Sequence, residues 1–123
     1  MKLTKNFVIG EFSCKDGTAV PDEMVANVTE LAKNLQVLRE DIGEPLKILS
    51  GYRSPAWNKK VGGKPNSFHM KAMAADLTTK SFTPKQLHAR ILKLIKAGKM
   101  KEGGLGLYPG FVHYDIRGTA ARW

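Results

Sequence analysis

An α+β fold, with helices packed against a small and mainly antiparallel sheet, is what this sequence predicts, and three observations predict it. Two segments, Pro21 to Ile42 and Thr83 to Gly98, carry apolar residues at helical spacing. Four short runs have strand character: Leu46 to Ser50, Ala72 to Thr78, Leu105 to Tyr108 and Phe111 to Arg117. The last two meet at Pro109-Gly110 and read as a hairpin, which joins its strands antiparallel. With 123 residues the chain has enough length for one core, and a single domain over 1–123 is expected.

In the first helix, Met24, Val28, Leu31, Leu35, Leu38 and Ile42 recur at intervals of four and three and give one apolar face. Pro21, Asp22 and Glu23 suit its first turn, and Gly43 suits its stop. Leu46-Lys47-Ile48-Leu49-Ser50 alternates as a strand, and Gly51-Tyr52-Arg53-Ser54-Pro55 breaks it. Three Gly, two Pro and two Asn between Gly51 and Asn66 predict a long ordered loop. Loops of that length in compact domains commonly carry function. Ala72 to Thr78 suits helix or strand by propensity, but its shortness and its place after a loop favour a strand. Thr83-Pro84-Lys85-Gln86 has the form of a capping box with proline in the first turn. Leu87, Ile91, Leu94 and Ile95 supply the apolar stripe of that second helix, and His88 beside them reads as a surface or boundary residue. Along the last strand, period two sets Val112, Tyr114 and Ile116 on one face and Phe111, His113, Asp115 and Arg117 on the other.

Apolar residues make up 42% and charged residues 25%, a composition that argues against disorder. One cysteine, Cys14, excludes an internal disulfide and a thiolate metal cluster, and reads as a buried or half-exposed thiol. No signal peptide or membrane span is legible, so the chain is expected to be made in the cytoplasm and to stay out of the membrane. The net charge is +9, from 20 Lys plus Arg against 11 Asp plus Glu, which suits an anionic partner such as nucleic acid or a bacterial wall. Its lysines are spread along the chain without interleaved aromatics, so nucleic-acid binding rests on charge alone and is not expected.

Ser67-Phe68-His69 is followed seven residues after the histidine by Asp76, and His113 lies far downstream in Phe111-Val112-His113-Tyr114-Asp115. Two histidines and one carboxylate can hold a catalytic Zn²⁺ with a fourth position left to water. Spacing alone is a modest signal and favours unrelated side chains.

The surrounding motifs decide between those readings. Ser67-Phe68-His69-Met70-Lys71-Ala72-Met73-Ala74-Ala75-Asp76 resembles the Ser-x-His-x-x-Gly-x-Ala-x-Asp mark of the zinc D-Ala-D-Ala carboxypeptidase family, peptidoglycan metallopeptidases of bacteria and their phages. Ser50 to Ser54 upstream, Gly104 to Asp115 and the closing Arg122-Trp123 resemble its small single-domain branch. The resemblance runs from Phe7 onward in three ordered motifs. It implies a Hedgehog/DD-peptidase-like fold, Zn²⁺ held by His69, Asp76 and His113, Arg53 and Ser67 against the substrate, and a monomer that cuts peptidoglycan stem peptides once released to the wall.

Two departures stand out. The family's glycine is Ala72 here, which is harmless if its φ is negative. Many relatives carry an acid three residues before the last histidine, where this chain has Gly110. Asp115, on the face of His113, is the nearest substitute for the acid–base step, with orientation of a ligand histidine as its alternative role. A zinc-stabilised cell-wall binding module without turnover is the rival function.

Overall fold

The computed structural model describes residues 1–123 and is α+β. Its long helix α1, Val25–Ile42, follows a 3₁₀ turn at Asp22–Met24 and stops at Gly43, whose φ of 72° is left-handed. Strand β1 is Lys47–Ser50, and β2 is Ala74–Thr78. Helix α3, Pro84–Lys96, starts at the Thr83–Gln86 capping box that its sequence announces. Strands β3, Gly104–Leu107, and β4, Val112–Asp115, form the hairpin. The Tyr108 N–H donates to Phe111 O at 3.1 Å across Pro109-Gly110.

The five strands lie in the order β1-β2-β4-β3-β5, where β5 is Ala121–Arg122. All neighbours are antiparallel except β3 and β5, which are parallel. Neither β5 nor the 3₁₀ turn at Ile9–Phe12 is legible in the sequence. The expected loop from Gly51 to Asn66 also contains a short helix α2, Pro55–Lys60. Ser54 caps it by accepting from Trp57 N–H at 3.2 Å, and Pro55 opens it.

Alternation in the strands separates two faces of the sheet. Ala75, Leu77, Val112, Tyr114 and Leu105 turn inward and join Val28, Leu31, Leu35 and Leu38 of α1 and Leu87, Ile91 and Leu94 of α3 in one buried cluster. On the opposite face the register aligns Ser50 with Asp76, Asp76 with His113, and His113 with Gly106. Antiparallel pairing therefore gathers side chains that are far apart in sequence into one row across four strands.

Candidate metal centre

His69 sits in a 3₁₀ turn, Phe68–Lys71, whose first backbone donors are capped by Ser67: its Oγ accepts from His69 N–H at 3.2 Å. The turn ends at Ala72, with φ 56° and ψ 33°. The departure from the family's glycine would be harmless only at a negative φ, and the structure shows a positive one. Ala72 adopts the left-handed conformation that reverses the chain into β2, and its Cβ costs about 1–2 kcal/mol there.

Within β2 and β4, Asp76 and His113 face each other directly. His69 Nε2 and His113 Nδ1 each lie 3.2 Å from Asp76 Oδ1. One donor atom from each of the three residues falls within 4.8 Å of the others, and all three residues are buried. Ligands bound tetrahedrally at roughly 2.0–2.2 Å stand about 3.3–3.6 Å apart, so the spacing fits a zinc ion.

The remaining ring nitrogens strengthen that fit. Nδ1 of His69 donates to Gly51 O at 2.8 Å, which leaves the Nε2 lone pair facing the centre. Nε2 of His113 donates to Asp115 Oδ2 at 2.7 Å, which leaves Nδ1 facing the same centre. Both imidazoles are thus held in the tautomer that a cation needs.

Asp115 therefore lies behind His113, on the nitrogen away from the triad. It is fully buried, and it also accepts from Gly104 N–H at 2.8 Å and from Arg117 Nε and Nη2 at 2.9 and 2.7 Å. Only glycine fits at 104, since a Cβ there would meet the Asp115 carboxylate and the Arg117 guanidinium. Burial pushes the Asp115 carboxyl up, but the Arg117 and His113 bonds outweigh it and hold the group below the usual carboxylate range. Asp76 behaves alike: burial raises it, and the two histidines together hold it low. For His113, burial favours the neutral ring, while its bonds to Asp115 and Asp76 prevail and raise its pKa in the absence of a metal.

Arg53 reaches the site from the start of the long loop. It donates to Ser50 Oγ, Asn58 Oδ1 and Asp76 Oδ2 at 3.2, 3.3 and 3.3 Å. These bonds use three of its five N–H groups. Asn58, on α2, is buried and was not legible as a site residue; its amide also donates to Lys64 O at 2.9 Å, tying the loop together. Gly110 lies exposed in the β3–β4 loop with open space around it. Cys14 is buried, and His88 on α3 is half-buried with its pKa depressed by that burial.

The sequence profile of the family described as peptidase M15 matches residues 3–115, nearly the whole chain and all three residues of the triad. The chain belongs to this family. No curated protein matches it. Peptidase M15 enzymes are zinc peptidases acting on peptidoglycan, and the α+β fold is consistent with theirs. No helix is long and apolar enough to cross a membrane.

Proposed function

We propose that the chain is a zinc-dependent peptidase hydrolysing peptide bonds in peptidoglycan stem peptides, either as a D,D-carboxypeptidase or as an endolysin-type endopeptidase. One observation carries this reading: His69, Asp76 and His113 converge with both histidines already fixed through their other nitrogens, in a chain of the M15 family. When bound to these three residues, zinc supplies a Lewis acid for the scissile carbonyl and lowers the pKa of water toward neutrality.

Every other role falls to the chain's own side chains. Arg53 braces Asp76 through its ion pair, and its two uncommitted N–H groups are available to a substrate carboxylate or to the oxygen on which charge develops. Ser67 accepts from His69 N–H, so its own hydroxyl proton remains free for a substrate carbonyl. Asp115 we now assign to positioning. Its oxygens are taken by His113, Arg117 and Gly104, so it orients His113 and raises its basicity, and the acid–base role expected from the sequence moves away from it.

That assignment is also what favours the rival, a non-catalytic zinc-stabilised cell-wall binding module, because neither Asp115 nor Gly110 offers a free carboxylate beside the triad. Hydrolysis decides between them. Zinc-loaded protein incubated with muropeptides should generate new peptide termini, read by mass spectrometry, and His113→Ala should generate none. Intact muropeptides from several peptidoglycan types, together with retention on cell walls, would establish the binding module.

A further inference from the structure

Scattered apolar side chains on a surface need no explanation, but adjacent ones beside a site do. Trp123 and Tyr108 are 47% and 36% exposed, and they lie side by side at the rim of the triad. The backbone fixes Trp123 there, since its N–H donates to Leu105 O at 3.2 Å and Leu107 N–H donates to Trp123 O at 2.7 Å. Its indole lies across Gly106, where any Cβ would collide with the ring, and its centroid is 4.9 Å from that of His113. The Arg117 guanidinium, already bonded to Asp115, packs between Phe68 and Trp123, 4.4 and 5.4 Å from the two ring centroids. Indole Nε1 donates to Tyr108 Oη at 2.7 Å, and Tyr108 stacks on Phe111 at 4.5 Å and 12°. The result is an aromatic shelf that starts at a metal-triad histidine and leads outward.

We propose that the Trp123–Tyr108 shelf is a carbohydrate subsite that seats the apolar face of a pyranose ring in the glycan attached to the peptide. This rests on the peptidase reading above. Two features choose a sugar over more peptide. An extended peptide would need a free strand edge, and on this side β5 and Trp123 already occupy the edge of β3. A pyranose instead presents a face of C–H groups, which suits exposed π faces, and a rim of hydroxyls. The Tyr108 hydroxyl accepts from the indole, so its own proton is left to donate to one of them.

Titration of the zinc-loaded protein with the N-acetylglucosamine–N-acetylmuramic acid disaccharide, without peptide, tests the shelf through tryptophan fluorescence. A saturable change is expected that disappears in Trp123→Ala, where Trp57 still reports. In Tyr108→Ala, which touches no residue of the triad, binding should weaken about threefold to tenfold, the range of one aromatic contact. The ratio of kcat/KM for disaccharide-linked over free stem peptide should exceed one and fall in Tyr108→Ala. No saturable signal, or a signal retained in Trp123→Ala, overturns the shelf. Hydrolysis with no preference for the linked substrate does the same and leaves the peptidase standing. Disaccharide binding without hydrolysis of either substrate would overturn the peptidase and keep the shelf.

Discussion

His113 is gripped at both ring nitrogens, by Asp76 on the side of the triad and by Asp115 behind, and this residue shows where sequence reading stops. Period two places Asp115 on the His113 face, and that much is legible. Which of its oxygens meets which nitrogen depends on side-chain rotamers, on Arg117 two residues further along, and on Gly104, which approaches from β3. Asp115→Asn should therefore weaken zinc retention about 10–100-fold, measured by competition with a chelator, while lowering turnover of the zinc-saturated protein much less. Zinc retained with turnover reduced about 10²–10⁴-fold would make Asp115 the base after all. Arg53 was legible as a site residue, but its grip on Asp76, Ser50 and Asn58 was not. Arg53→Lys keeps the charge and loses the fork that spans these acceptors. The expected result is a drop in kcat/KM of about 10²-fold with stability changed by about 1 kcal/mol or less, read from steady-state kinetics and urea unfolding.

At the scale of elements, α1, α3 and the β3–β4 hairpin announce themselves because their signals are local: an apolar stripe, a capping box, a Pro-Gly break. Helix α2 is too short for a periodicity, although Ser54-Pro55 is a start signal that could have found it. Strand β5 has two residues and exists through parallel pairing with β3, a non-local cause that no window of sequence contains. Ala72 is the sharpest departure, an alanine in a left-handed turn at 1% exposure. Replacing a buried alanine by glycine ordinarily removes a methyl and adds unfolded-state entropy, together about 1–2 kcal/mol. Ala75→Gly, in the middle of β2, should pay that full amount. At Ala72→Gly, relief of the left-handed strain offsets it, and urea unfolding should show a change below about 1 kcal/mol. Equal losses at both positions would contradict the strain.

Across the whole molecule, the charge of +9 favours approach to anionic partners, whereas the site itself is governed by a few buried charges. In the absence of a metal, the raised pKa of His113 means that the fold holds its proton more tightly than the unfolded chain does. That contribution to stability is complete below about pH 6.5 and is lost as pH rises through the raised value. Zinc requires the Nδ1 lone pair and must displace this proton, so its affinity should fall about tenfold per pH unit below the raised value and level off above it. Calorimetry in buffers of different ionisation enthalpy should find protons released on zinc binding at low pH, with the number declining as pH rises through the raised value. Zinc binding without proton release at low pH would place the proton elsewhere. Because the proposed zinc site is assembled only in the folded chain, a chelator should lower the melting temperature, and more so at the higher pH.

Metal content tests the triad most directly. Elemental analysis of gently purified protein should give close to one zinc per chain, lost in His69→Ala, Asp76→Ala and His113→Ala, with X-ray absorption showing nitrogen and oxygen neighbours at about 2.0–2.2 Å. A wild-type protein with no zinc near one equivalent, or one whose zinc survives all three substitutions, would contradict a metal centre built from His69, Asp76 and His113.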